Sequence, residues 1–79
     1  MDAKKVDSNK LKAIPSILGK KVVEVKDFDG VKLICENEDW LMFRPSGTEP
    51  LVRIYSEAKT LKRSQDILEF GRQQADPKQ

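Results

Sequence analysis

Residues 20–57 read KKVVEVKDFDGVKLICENEDWLMFRPSGTEPLVRIYSE, and their periodicity decides the fold class. Apolar residues recur at every second position, the repeat of a strand with one face buried. Val23 and Val25 alternate with Glu24 and Lys26, so residues 22–26 are expected as a first strand. Asp29-Gly30 follows, a pair suited to a tight type I′ turn, whose two central residues both need positive φ. Residues 31–36 read as a second strand, with Val31, Leu33 and Cys35 on one face and Lys32, Ile34 and Glu36 on the other. Asn37-Glu38-Asp39 is a polar turn. Residues 40–44 form a third strand that is apolar from Trp40 to Phe43, which predicts that both of its faces are covered. Residues 51–56 form a fourth, with Val52 and Ile54 on one face and Leu51, Arg53 and Tyr55 on the other. Four strands in sequence, joined by short connections, predict an antiparallel meander.

The flanks supply helices. Thr60 is an N-cap candidate, and Leu61, Ile67, Leu68, Gly71 and Ala75 make an apolar stripe on a helix over residues 61–75. Phe70 lies at the edge of that stripe, and Pro77 follows the helix end as a terminator. A short helix is expected near residues 8–14, interrupted by Pro15, and Gly19 punctuates the chain. The fold class is therefore α+β: a four-stranded antiparallel sheet with helices on one face. Residues 1–19 are a lead-in, 20–76 the domain and 77–79 a tail.

Composition excludes several classes of function. The chain has 79 residues, no histidine and one cysteine, Cys35. It can build no Ser–His or Cys–His pair, no internal disulfide and no cysteine-rich zinc site. Hydrophobic residues are 38% against 35% charged, with a net charge of +2, which is not the signature of disorder. No apolar run reaches the ~20 residues of a membrane helix, and the charged first dozen residues lack the apolar core of a secretory signal. The expected setting is reducing and cytoplasmic, with no membrane partner. Basic residues predominate at both ends and acidic ones between residues 27 and 57. These scattered charges read as a solvated surface and not as a nucleic-acid footprint.

One segment carries chemistry: Arg44-Pro45-Ser46-Gly47-Thr48-Glu49-Pro50. It is longer than the 2–5 residues a hairpin normally takes. Arg44 offers a planar charged fork that matches a phosphate. Ser46 and Thr48 offer hydroxyl donors, Gly47 permits close backbone approach, and successive N–H groups in such a turn make an anion-binding nest. Ser, Gly, Thr and Pro are also ordinary turn residues, and Ser46-x-x-Glu49 fits a capping box, although Pro50 and the alternation after it do not continue as a helix. Local chemistry alone leaves an anion site and a structural loop both open.

The run from Arg44 to Ala58 closely resembles the C-terminal domain of the α-D-phosphohexomutases, the phosphoglucomutase/phosphomannomutase enzymes. The Arg-Pro-Ser-Gly-Thr-Glu-Pro string matches their phosphate-binding signature. Asp29-Gly30-Val31-Lys32 and Asp39-Trp40 also resemble the family, so the resemblance covers about residues 20–74. It implies a fold similar to that of the TATA-binding protein. It further implies an isomerase of four domains that interconverts hexose 1-phosphate and hexose 6-phosphate through a phosphoserine and a bisphosphorylated sugar. Mg²⁺ would be bound by another domain, and the fourth domain would hold the phosphate that is not being transferred. Carried onto this sequence, Arg44, Ser46, Gly47 and Thr48 match the phosphate contacts, and Arg53 matches a further basic one. No catalytic residue and no metal ligand are expected within the chain, so alone it should not turn over substrate. The expected partners are a phosphosugar and the other three domains. The competing readings are a nucleic-acid-binding module and a structural docking module. Against the first, the five aromatics form no stacking motif of an RNA-recognition sheet. Trp40 and Cys35 are expected in the core; Tyr55 shares a face with Arg53 and is a lesser candidate for donating to the phosphate.

Overall fold

The computed structural model describes residues 2–4, 8–45 and 51–75. In chain order they form β1 (Asp2–Lys4), α1 (Ser8–Lys12), β2 (Ser16–Ile17), β3 (Lys20–Lys26), β4 (Val31–Cys35), β5 (Trp40–Pro45), β6 (Leu51–Glu57) and α2 (Leu61–Ala75). The four expected strands are β3 to β6, paired antiparallel in sequence. The sheet is larger than four strands, however. β1 adds beside β6, with Ala3 opposite Val52, giving five strands in the order β1-β6-β5-β4-β3, and the two-residue β2 adds against the start of β3. Three residues cannot display a period. β1 is a strand because the open edge of β6 offers its backbone groups a partner.

The core lies on one face of the sheet. Val31, Leu33 and Cys35 from β4, Leu41 and Phe43 from β5, and Val52 and Ile54 from β6 all point inward and are buried. Ile67 of α2 seals them from above, and Leu11 and Ile17 join from the residues ahead of β3. Full burial of each such side chain is worth roughly 1.5–3 kcal/mol. Gly71 lets α2 approach the sheet: a Cβ there would stand 2.8 Å from a methyl of Leu41 and 3.0 Å from Ile54 Cγ2. Thr60 caps the helix as expected, its hydroxyl accepting from the Arg63 N–H at 3.1 Å. Leu61, placed in the stripe from sequence, is 75% exposed. It lies about 120° around the helix from Ile67, beyond the side that meets the sheet.

Two expectations about side-chain direction and one about a turn need correction. Trp40 is not in the core. Leu41 and Phe43 face inward, so the strand period sends Trp40 and Met42 to the opposite face, where both are half-buried. There the indole N–H donates to Glu57 Oε1 at 2.7 Å, and the Lys32 ammonium lies 4.4 Å above the ring. An unbroken apolar run gives no phase, which is why the sequence misled here. In β3 a bulge between Val22 and Glu24 shifts the register, so Val22 faces Cys35 and Val23 turns outward, 59% exposed. The third case is the first hairpin. Asp29 (φ 64) and Gly30 (φ 127) both take the positive φ that their pairing demands. The register nevertheless ends at Lys26 with Lys32, which leaves residues 27–31 between the last paired residues, more than the two-residue turn expected.

Candidate functional site

The described part of the site stands where β5 ends and β6 begins. Arg44 and Arg53 are directly opposite each other across this pair of strands, followed by Pro45 opposite Val52. Opposed residues project to the same side, so both arginines stand on the outer face, and both are exposed. Ser46, Gly47 and Thr48 belong to the connection between these strands and lie outside the described residues. The strands that carry Arg44 and Arg53 thus deliver two permanent cations to the mouth of the segment that sequence reasoning singled out.

Two like charges directly opposed destabilise a strand pair. An anion between them relieves that cost, so this juxtaposition is suited to binding one. Arg53 also makes a further interaction. Tyr55, two residues along the same face, is 41% exposed and stands opposite Met42, not Arg44.

The structure adds two residues that sequence reasoning did not assign to the site. Asp29, at the tip between β3 and β4, places a carboxylate oxygen 3.6 Å from Arg44 Nη2. Gly30 permits this closeness. A Cβ at Gly30 would lie 2.5 Å from the Phe43 carbonyl oxygen and 3.2 Å from Arg44 Cα. The tip therefore rests on the β5 backbone immediately before the arginine. Asp29-Gly30 was legible as a turn, but nothing in the order of residues says that the turn lands beside Arg44.

A second charged cluster is structural. Asp39 is buried at 2% exposure and accepts hydrogen bonds from Arg63 Nε at 3.0 Å and Asn37 Nδ2 at 2.9 Å. Arg63 Nη2 also donates to the Leu18 carbonyl at 3.2 Å. One guanidinium so ties α2 to the β4–β5 turn and to the tight turn between β2 and β3. Cys35 is buried nearby, as expected. Burial first, then the neighbouring Asp39 charge, pushes its thiol pKa up, against the opposing pull of Arg63. A thiol held protonated is no nucleophile. Among the described residues no three His, Cys, Asp or Glu side chains converge to hold a metal ion. No helix among them is long and apolar enough to cross a membrane.

Residues 2–73 match the family described as Phosphoglucomutase/phosphomannomutase, C-terminal domain. The chain belongs to that family. It is 38% identical over 58 residues to a phosphoglucomutase/phosphomannomutase of Thermococcus kodakarensis, an alignment covering 73% of this chain and 12% of the relative. It is 39% identical over 61 residues to a probable phosphoglucosamine mutase of Methanosphaera stadtmanae, covering 68% of this chain and 14% of that protein. A phosphopentomutase of Thermococcus kodakarensis is 36% identical over 54 residues, with 68% and 12% covered. The chain thus spans about an eighth of the length of these relatives and corresponds to their C-terminal domain.

Proposed function

We propose that this domain grips the phosphate of a phosphosugar. Arg44 is the primary cation, Ser46, Gly47 and Thr48 supply hydroxyl and backbone donors, and Arg53 is a second cation across the strand pair. The observation that carries this reading is the opposition of Arg44 and Arg53 at the mouth of the Arg-Pro-Ser-Gly-Thr-Glu-Pro segment, inside the span that matches the family. The relatives' names support a phosphate grip more than a sugar grip. They mention glucose, mannose, glucosamine and pentose enzymes, and a phosphoryl group is what such substrates share.

In this reading the domain is the substrate-phosphate-holding part of a cytoplasmic phosphohexomutase, with a fold similar to that of the TATA-binding protein. The enzyme interconverts hexose 1-phosphate and hexose 6-phosphate. Its other domains would hold the phosphoserine and the Mg²⁺, which would supply the transferable phosphoryl group and charge neutralisation, while this domain would hold and orient the substrate phosphate. Phosphoryl transfer requires a positioned nucleophile and charge neutralisation by metal. The chain's own residues contribute binding and orientation, so the 79-residue chain should show no mutase activity.

The test is a titration with inorganic phosphate and with glucose 1-phosphate, followed by amide chemical shifts. Ser46, Gly47, Thr48 and Arg53 should move, with a dissociation constant of about 1 mM, equivalent to about 4 kcal/mol. Arg44→Ala should weaken binding by roughly 10- to 150-fold, the loss of one charge-assisted bond worth about 1.5–3 kcal/mol. Arg44→Lys keeps the charge without the fork and should recover only part of it. Unchanged phosphate binding in Arg44→Ala would return the segment to a stiff structural turn.

A further inference from the structure

We propose that Asp29 is a built-in counter-ion of the phosphate site, one that holds Arg44 while the site is empty and gives it up when a phosphate dianion arrives. This rests on the reading of Arg44 as a phosphate ligand and adds a residue that competes with the ligand. The geometry is specific. Arg44 stands on β5 between two neighbours of opposite charge: Arg53, directly opposite on β6, and Asp29, at the β3–β4 tip. Repulsion from the first and attraction to the second both draw the guanidinium toward the tip. Gly30 packs the tip against the Phe43 carbonyl, where a Cβ would stand only 2.5 Å away, so the backbone of Asp29 lies beside the base of Arg44.

The contact has the character of a placeholder. Its 3.6 Å separation is an ion pair without a hydrogen bond, so it commits none of the five N–H donors of the guanidinium. Both side chains are more than half exposed, 53% for Arg44 and 67% for Asp29, and exposed pairs of this kind are weak and readily screened. A dianion that accepts several N–H bonds displaces such a carboxylate, whereas a weakly basic monoanion gains little over it. Asp29 therefore sets a threshold that favours doubly charged phosphoryl groups and keeps two opposed arginines partly neutralised in the empty site.

The experiment compares inorganic phosphate binding to the wild-type chain, Asp29→Asn, Arg44→Gln and the double variant, by amide shifts at low and at high salt. Asparagine tolerates positive φ as well as aspartate does, so Asp29→Asn keeps the turn and removes only the charge. The expected result is phosphate binding tightened by about 1.5- to 5-fold at low salt, a gain that shrinks at high salt and vanishes in the Arg44→Gln background. Weaker or unchanged binding in Asp29→Asn, with Arg44→Gln still strongly impaired, overturns the counter-ion role and leaves the phosphate grip standing. Wild-type phosphate affinity in Arg44→Gln overturns the grip itself, and the counter-ion role with it.

Discussion

Replacing Arg63 by alanine should be among the most damaging single changes outside the apolar core. The substitution removes the Nε donor 3.0 Å from Asp39 and the Nη2 donor 3.2 Å from the Leu18 carbonyl. Asp39 would keep its bond from Asn37 at 2.9 Å, but its carboxylate, 3% exposed, would lose the guanidinium that neutralises it. Breaking a buried pair in this way costs about 3–5 kcal/mol. The arginine side chain is 29% exposed, so water can reach part of the vacated space, and about 2–3 kcal/mol is the expected loss. Leu18 adds to it, because this non-glycine residue sits at φ 49 in the turn that Arg63 holds. A domain of this size is stable by only ~4–12 kcal/mol, and a slope near 1 kcal/mol/M would translate the loss into a urea midpoint lowered by about 2–3 M. Trp40, the single tryptophan and the neighbour of Asp39, reports unfolding by fluorescence. Pairing Arg63→Met with Asp39→Asn should restore much of the stability, since removing both charges leaves neither unpaired. A loss below about 1 kcal/mol for Arg63→Ala, or no rescue by the second change, would refute the view that a buried ion pair ties α2 to the sheet.

Other outcomes follow from the same contacts. Gly30→Ala combines a φ of 127° with a contact of 2.5 Å to the Phe43 carbonyl; it should cost at least about 1–3 kcal/mol in urea unfolding and broaden or shift the Arg44 amide, the residue its turn rests on. Gly71→Val forces a branched side chain into space where even a Cβ stands 2.8 Å from Leu41, and a loss of about 1–3 kcal/mol from overpacking is expected, visible as a lowered thermal midpoint. Cys35 binds a proton more tightly folded than unfolded, because burial and Asp39 raise its pKa from the ordinary 9.0. The native state then holds more protons than the unfolded state above that value, so this contribution is intact below about pH 9 and is lost as pH rises toward the folded pKa. Cys35→Ala should flatten the alkaline decline measured by urea midpoints between pH 8 and 10.5, and an identical decline in both proteins would exclude the thiol as its source.

How much of this was legible beforehand varies with the range of the interaction involved. β4 and β6 could be read from their alternation and most of α2 from its stripe, since these periods, the Thr60 cap and the positive φ of Asp29 and Gly30 depend on local stereochemistry and on one face being buried; Leu61, on the exposed side of α2, is the exception. The phase of β5 was not, because Trp40, Leu41, Met42 and Phe43 are all apolar. Only the packing of Leu41 and Phe43 under α2 decides which pair turns outward. The Val22/Glu24 bulge was equally silent, since its extra residue is set by pairing with β4.

The candidate site divides in the same way. The donor chemistry of residues 44–50 is a property of the residue types, readable without coordinates, and so is the family signature they carry. That Arg53 stands opposite Arg44 depends on the β5–β6 register. That Asp29 comes within 3.6 Å of Arg44 depends on a glycine seating one hairpin against another strand. Sequence by itself determined the elements with a clear period and the chemical character of the loop, because propensity, capping and hydrogen-bonding capacity act over a few neighbouring residues. Tertiary structure alone decided that residues 2–4 become an edge strand, that Asp39 is buried beneath Arg63, and that charges from two strands and a turn share one end of the sheet. Those outcomes rest on contacts between residues far apart in the chain, and no local pattern encodes which distant partner a side chain will meet.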